Sequence, residues 1–439
     1  MSTIKTGHLR VYHRDGRFIV FNPTIPSWIY TNTTGTVLLK LLSYTKTVGD
    51  AMSIAIDNGL DRDSCRRFFE EAASQQLFIE GLKSERWSEA HAFGRKLGSI
   101  YLHLTNSCNL SCAYCYRNSS PKIEIKRFGA EFTGFLDQCT PILSDRPVLT
   151  FTGGEPMIHP DFFLVAQHAQ SLNFKNLLLT NGLSITEDNA AEIGRLFSYV
   201  KISLDGATEG THAKTRGAGN FDAVLRSIWL LASLGGTLEI EVQMTLTFDN
   251  IAECEELRSI LPKSVRTKFT PMMPMGRGLQ ADSYLESAEF LAVKDRVTPK
   301  DRRGGGSLQS GKRSFGCYAG EAHISVSDTG DIYPCHLFHN SKFRMGNIFI
   351  DSIEKIFYSQ RMIDFGRSMD VESNNERCSS CDFRYLCGGG CKANPLHKYG
   401  DYRRSDTYCA FIRKTSLERM FEGYPSAPVV EHAASEHCS

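Results

Sequence analysis

Ten of the 14 cysteines in this 439-residue chain fall into three closely spaced groups. The first group is Cys108, Cys112 and Cys115, with the spacing C-x3-C-x2-C. Three thiolates at this spacing can bind three irons of a four-iron, four-sulfur cluster and leave the fourth iron open to a small molecule. The spacing alone also fits a zinc site or unrelated reduced thiols, so neighbouring motifs are needed to distinguish these possibilities.

Three apolar runs that read as strands each end at a polar segment, and these segments are Thr152–Pro156, Thr180–Gly182 and Ser203–Gly206. Parallel α/β sheets carry their sites at the carboxyl ends of strands. Helical patterns alternate with the strands, at 130–139, 162–171, 190–197, 221–233 and 251–260. This alternation predicts right-handed βαβ units, and about six repeats favour a partial barrel over a closed barrel of eight units.

These segments together resemble the motifs of radical S-adenosylmethionine (SAM) enzymes. The matching elements are C-x3-C-x2-C, G-G-E-P at 153–156, S-L-D-G at 203–206 and H-x3-R-x-G at 212–217. The resemblance implies an α/β fold with a partial (β/α)6 barrel. It also implies a SAM-binding 4Fe–4S cluster, whose reduction cleaves SAM to a 5′-deoxyadenosyl radical that abstracts hydrogen from a C–H bond.

The same resemblance implies which residues contact SAM. The GGEP segment would receive the amino group, Arg216 the carboxylate, and Tyr114 would lie near the adenine. A guanidinium offers a carboxylate a planar fork that lysine lacks, although an ordinary surface arginine and a packing tyrosine remain alternatives. The expected SAM-binding residues are Tyr114, Gly153, Gly154, Glu155, Thr180, Asn181, Ser203, Asp205 and Arg216.

Seven further cysteines lie in the last third of the chain, and their order resembles the SPASM extension of radical SAM enzymes that modify peptides and proteins. The resemblance implies two auxiliary iron–sulfur clusters, for a total of three. One cluster would be fully ligated by Cys378, Cys381, Cys387 and Cys409. The other cluster would have three protein ligands, Cys317, Cys335 and Cys391. Structural zinc is the alternative, but it leaves one cysteine of the seven unexplained.

His336 follows Cys335 directly. Maturases that form formylglycine in sulfatases resemble this chain but carry an aspartate base at that position, so His336 is the candidate catalytic base here. The run 333–338 is instead similar to peptide maturases that form thioether bridges.

The first 80 or so residues read as strands at 17–21 and 28–30, helices at 36–44, from Thr47 and at 62–75, and a closing strand at 77–79. This winged-helix pattern resembles the PqqD-like recognition element, which captures the leader of a ribosomally made precursor peptide. DNA binding is disfavoured because the third helix mixes acidic with basic residues.

Composition points to a cytoplasmic enzyme. The net charge of +1, from 50 basic and 49 acidic residues, argues against nucleic-acid or membrane-surface binding. No signal peptide and no apolar run of about 20 residues is visible. Fourteen cysteines indicate a reducing compartment. The single cysteines Cys65, Cys139 and Cys254 are expected in helical cores, and Cys438 in a tail.

The expected domain order is a recognition domain (1–82), a linker helix (83–97), the barrel (98–275), a bridging region with a mobile loop (276–316), the SPASM domain (317–412) and a C-terminal helix and tail (413–439). The expected activity is maturation of a leader-bearing ribosomal peptide by a thioether crosslink, with a flavodoxin- or ferredoxin-type electron donor. Carbon–carbon crosslinking, epimerisation, formylglycine formation and a non-catalytic iron–sulfur or zinc protein remain alternatives.

Overall fold

The computed structural model describes residues 6–45, 47–79, 87–281, 284–293, 312–372 and 376–423. Its amino-terminal part is a three-stranded antiparallel sheet followed by three helices. The elements are β1 (Arg10–Arg14), β2 (Arg17–Asn22), β3 (Ser27–Thr31), α1 (Thr33–Thr45), α2 (Val48–Asp57) and α3 (Arg62–Ser74). Side chains alternate across the sheet. Val20 and Ile29 pack on the helices, whereas Phe21 and Trp28 pack on Phe383 and Met420 from the other end of the chain.

The prediction of a strand at 77–79 is wrong. The side-chain amide of Asn22 donates to the carbonyls of Gln76, Leu77 and Ile79 at 3.3, 3.0 and 2.8 Å. These bonds hold the segment as a turn, and Gln76 has a φ of 56°. The third strand of the sheet is β1, which lies before the residues that the sequence analysis assigned to strands.

Six parallel strands in sequential order form the partial (β/α)6 barrel, which confirms the expected fold class. The strands are β4 (Leu97–Thr105), β5 (Leu143–Gly153), β6 (Lys175–Thr180), β7 (Tyr199–Ser203), β8 (Glu239–Leu246) and β9 (Arg266–Pro271). The accompanying helices are α4 (Glu89–Gly94), α5 (Gly129–Cys139), α6 (Phe162–Ser171), α7 (Glu187–Leu196), α8 (Glu209–Arg216), α9 (Phe221–Ser233), α10 (Cys254–Ile260) and α11 (Ser287–Ala292). On β4, Ile100 and Leu102 face the helical core, so Tyr101 and His103 face the barrel interior.

The barrel sheet continues into the cysteine-rich domain. β10 (His323–Val326) pairs parallel with β4, and β11 (Asp331–Tyr333) and β12 (Gly346–Asn347) follow antiparallel. This pairing covers the β4 edge of the barrel, which would otherwise expose unpaired backbone groups. The remaining helices are α12 (Ile353–Phe357), α13 (Gln360–Arg367), α14 (Glu376–Ser379), α15 (Arg384–Cys387), α16 (Ala393–Tyr399) and α17 (Cys409–Glu422).

Some expectations fall partly outside the described residues. These are the linker before residue 87, most of the bridging loop (294–311) and the tail from 424 with Cys438. The C-terminal helix starts at Cys409, four residues before the expected boundary. Among the described residues, we find no helix with the length and apolar character of a membrane span.

Candidate functional site

The first cysteine group follows β4, at the carboxyl end of the barrel strands. The Cys115 amide donates to the Cys112 carbonyl at 3.2 Å. Burial raises the pKa of the Cys108 thiol to about 12, and the nearby Cys112 and Cys115 act in the same direction. A bound metal would supply the positive charge that turns such clustered thiols into thiolates, so these residues fit an iron–sulfur cluster.

On one side of this group, Glu155 ties the ends of β5 and β6 together. Its fully buried carboxylate accepts hydrogen bonds from Thr180 Oγ1 and the Asn181 amide, both at 2.7 Å, and from the Met157 amide at 3.2 Å. Burial raises the pKa of Glu155 to about 7, although these hydrogen bonds oppose the rise. Asn181 Nδ2 lies 3.8 Å from Cys108 Sγ. Because the contacts described for the carboxylate are to protein groups, contact with a SAM amino group stays a prediction.

Gly153 and Gly154 let two loops approach each other at the cysteine group. Gly153 has a φ of 139°, and a Cβ at either glycine would overlap the carbonyl of Thr105 or Ser107. The Gly154 amide donates to Thr105 at 2.7 Å. The structure thus shows close approach of the chain to itself at these glycines, and their contact with SAM stays a prediction.

Substituting Gly154 with alanine is therefore expected to destabilise the fold by about 3 kcal/mol and to lower the iron bound by the first cysteine group. Gly134 is the matched control, because a Cβ there meets no atom within 4 Å and alanine should favour helix α5. Chemical denaturation of both variants measures the change in stability, and iron analysis measures the bound iron. Equal stability of the two variants would contradict the overlap at Gly154.

On the other side of the cysteine group, Asp205 joins Tyr114 to Arg216. The fully buried Asp205 accepts from the Tyr114 hydroxyl and, at 2.6 Å, from Arg216 Nε. Arg216 also donates to the Tyr114 hydroxyl at 2.6 Å. His212 accepts the Asp205 amide at 3.1 Å, which gives the H-x3-R element a role in orienting the carboxylate.

Arg216 is not an ordinary surface arginine, because its side chain is 10% exposed. Its Nη1 lies 3.9 Å from Cys112 Sγ. Asp205 thus binds one edge of the Arg216 guanidinium and holds the guanidinium next to the cysteine group. Ser203, at the end of β7, is half-buried and has no side-chain hydrogen bond within the described part of the chain, so the structure does not bring it into either network.

Sequence reasoning missed Arg277. Its Nε donates to the Cys112 carbonyl at 2.7 Å, and its Nη2 donates to Ser119 at 2.9 Å. A Cβ at the preceding Gly276 would lie 2.5 Å from the Cys115 carbonyl. The G-x-G sequence at 276–278, shortly after β9, was the available signal for this loop. The loop holds the cysteine segment from the far edge of the barrel.

The electrostatic neighbours of the seven other cysteines follow the two expected sets, whose ligation of clusters stays a prediction. Burial raises the pKa of Cys335, and Cys317 and Cys391 add to the rise. In the second set, burial raises the pKa of Cys387 to about 12, and Cys409 and Cys378 add to it. Cys381 neighbours Cys378 and Cys409. The described cysteines are all free thiols, so both sets can ligate clusters.

His336 lies beside Cys335, and none of the hydrogen bonds given for the described residues joins it to the Glu155 or Asp205 network. Its ring stacks on Tyr101 with centroids 4.1 Å apart and an interplanar angle of 9°, and its Nδ1 lies 3.7 Å from Cys335 Sγ. Burial lowers the pKa of His336 to about 3, and nearby His323 contributes, so the imidazole is neutral. A neutral imidazole can accept a proton, but the role of base stays a prediction.

Comparison with known proteins agrees with this geometry. Residues 102–259 match the radical SAM superfamily, and residues 317–382 match the SPASM iron–sulfur cluster-binding domain. The mycofactocin maturase MftC of Mycobacterium tuberculosis is 27% identical over 313 residues, which cover 66% of this chain and 77% of MftC. The subtilosin biosynthesis protein AlbA of Bacillus subtilis is 28% identical over 347 residues, covering 73% and 72%.

Two solved structures have a similar fold. The structure of anSMEcpe with bound AdoMet and Cp18Cys peptide has a TM-score of 0.59 at 20% identity, covering 74% of this chain and 96% of that one. Streptococcus suis SuiB bound to precursor peptide SuiA has a TM-score of 0.58 at 15% identity, covering 93% and 100%. The matched domains and the clustered thiols support an iron–sulfur cluster and SAM as cofactors. The chain therefore has the radical SAM α/β fold followed by a C-terminal SPASM domain.

Proposed function

We propose that this chain is a radical SAM maturase of a ribosomally synthesised peptide. The observation that carries the proposal is the position of Cys108, Cys112 and Cys115 between the Glu155 network and the Asp205 network, at the carboxyl end of the barrel. When bound there, SAM and its cluster supply a carbon radical for hydrogen abstraction.

The protein's own residues bind and orient in this proposal. Asp205 and Tyr114 fix Arg216, so its guanidinium can offer a fork to the SAM carboxylate beside Cys112. Glu155 fixes Asn181 through the backbone, and the Asn181 amide nitrogen faces Cys108. These prearranged contacts reduce the cost of ordering the site when SAM binds.

A peptide substrate is supported by the relatives and by the amino-terminal domain. MftC is named a maturase, AlbA a bacteriocin biosynthesis protein, and the SuiB structure contains a precursor peptide. Among the described residues, β3 pairs with β2 and is an edge strand of the amino-terminal sheet, while α1 and α3 contact β3. An extended leader can add a strand to such an edge and place side chains against the helices.

The finer proposal is a thioether between a peptide cysteine sulfur and a carbon, a two-electron oxidation with loss of two hydrogens. His336 would take the thiol proton. Cys317, Cys335 and Cys391 would hold one auxiliary cluster, and Cys378, Cys381, Cys387 and Cys409 the other. Such clusters carry single electrons, which a flavodoxin- or ferredoxin-type protein would exchange with the enzyme.

The test is anaerobic incubation of the reconstituted protein with SAM, reductant and the short cysteine-containing peptides encoded beside it, read by tandem mass spectrometry. Loss of two hydrogens with a cysteine that no longer alkylates supports the thioether. Loss of mass with a free thiol favours carbon–carbon coupling or desaturation, whereas a cysteine converted to an aldehyde favours formylglycine chemistry. An unchanged mass with accumulating 5′-deoxyadenosine favours epimerisation, and no SAM cleavage contradicts the proposal.

A further inference from the structure

Lys392 is a buried cation that the proposed function does not use. Its side chain is 2% exposed, and its Nζ has no hydrogen-bond partner in the described part of the chain. Burying an ammonium group without a partner is strongly unfavourable, so such a group marks a place where an anion binds.

The Lys392 ammonium lies against Gly389, two residues after Cys387 of the four-cysteine set. A Cβ at Gly389 would lie 2.9 Å from Lys392 Nζ and 2.9 Å from Val371 Cγ1. Val371 belongs to the same small apolar cluster as Cys378. The Lys392 ammonium is also close enough to the Cys378 thiol to interact with it electrostatically. The ammonium therefore lies beside Gly389 and Val371, in the neighbourhood of Cys378.

The triple glycine before Cys391 makes room for this side chain. Gly388, Gly389 and Gly390 have φ values of 62, 81 and 69°, a conformation that other residues rarely adopt. At the middle position, a Cβ would meet the lysine itself. The backbone of this segment thus allows Lys392, which follows a cysteine of one set, to reach a cysteine of the other.

Other charged groups also lie near the four cysteines. Arg384 is half-buried, and its Nη1 donates to the Cys381 carbonyl at 3.0 Å. Arg377 and Arg413 act on Cys409 but are exposed, so solvent screens them. Asp406 is buried, and it accepts hydrogen bonds from the Cys391 amide at 2.6 Å and from Asn394 Nδ2 at 2.9 Å. Among these described residues, Lys392 is the cation that is fully buried.

We propose that Lys392 donates hydrogen bonds to the sulfur atoms of the cluster held by Cys378, Cys381, Cys387 and Cys409 and raises its reduction potential. This proposal rests on the assignment of that cluster in the proposed function. A buried cation stabilises the reduced cluster, which carries one more negative charge, more than the oxidised cluster. Lys392 thus acts on the reduction potential of the cluster and not as a ligand to its iron.

The experiment uses the full chain with Cys112→Ala and Cys335→Ala, which leaves the four-cysteine cluster as the one measured. Its midpoint potential is followed by electron paramagnetic resonance during titration with dithionite. Lys392→Met should shift the one-electron equilibrium about tenfold toward the oxidised cluster, which corresponds to a potential lower by about 59 mV. Lys392→Arg should retain most of the native potential.

Arg413→Met is the matched control, because it removes an exposed cation near the same set and should shift the potential far less. An unchanged potential in Lys392→Met with full iron content would overturn the role of Lys392. Loss of the cluster in Lys392→Met without recovery in Lys392→Arg would also overturn it, because that pattern reports packing rather than charge. If the background protein with native Lys392 shows no reducible cluster, the cluster assignment itself is wrong.

Discussion

Replacing Cys112 with alanine is expected to reduce SAM cleavage by the reconstituted protein to the rate measured without enzyme. The reason is that an open-iron cluster needs three thiolate ligands, and two cannot hold it. Cys112 Sγ also lies 3.9 Å from Arg216 Nη1, so its loss removes the link between the cluster and the expected SAM carboxylate site. The measurement is 5′-deoxyadenosine formed after reduction with dithionite, quantified by liquid chromatography.

Cys139→Ala is the matched control for this experiment. Cys139 is fully buried on α5 and packs in the barrel core, so its loss should cost about 1 kcal/mol of stability and leave SAM cleavage intact. If Cys112→Ala instead retained native SAM cleavage, the cysteine triplet would not be the SAM site. If neither the native protein nor the variant cleaved SAM, a zinc or electron-transfer protein would be favoured.

Removing the leader from the precursor peptide is expected to lower kcat/KM for its modification about a hundredfold, or ~2.7 kcal/mol. Strand addition at the β3 edge would concentrate the core segment at the barrel, and the leaderless peptide loses that contribution. SAM cleavage without peptide should be unchanged. Modification rates of full-length and leaderless peptides, compared by mass spectrometry, give the effect.

Truncating the peptide tests this better than deleting the domain. Deletion of the amino-terminal sheet would uncover Phe383 and Met420, which pack on Phe21 and Trp28, and would disturb the SPASM domain directly. The free leader should inhibit modification of the full-length precursor, and a leader of shuffled sequence should not. Equal processing of leaderless and full-length peptides would instead favour a maturase of the formylglycine type.

Local sequence patterns were enough to predict much of the barrel. Helix α6 runs from Phe162 to Ser171, as expected, because its apolar positions repeat with helical spacing. The polar segments at the ends of β5, β6 and β7 meet at one edge of the sheet because parallel strands share that edge. Glu155, Asn181 and Asp205 could therefore be expected at this edge before their contacts were known. Arg216 was chosen because H-x3-R-x-G resembles the motif of radical SAM enzymes.

By itself, the sequence determined the fold class, the strand-end motifs and the three cysteine groups, since each depends on spacing within a short segment. Only the tertiary structure decided that β10 extends the barrel at β4, that Asn22 holds the 76–79 turn, and that Arg277 clamps the cysteine loop. The same is true of the buried ammonium of Lys392. Each of these features depends on how segments that are far apart in the sequence, or folded into tight turns, pack against one another. The periodicity of a sequence carries no information about that packing.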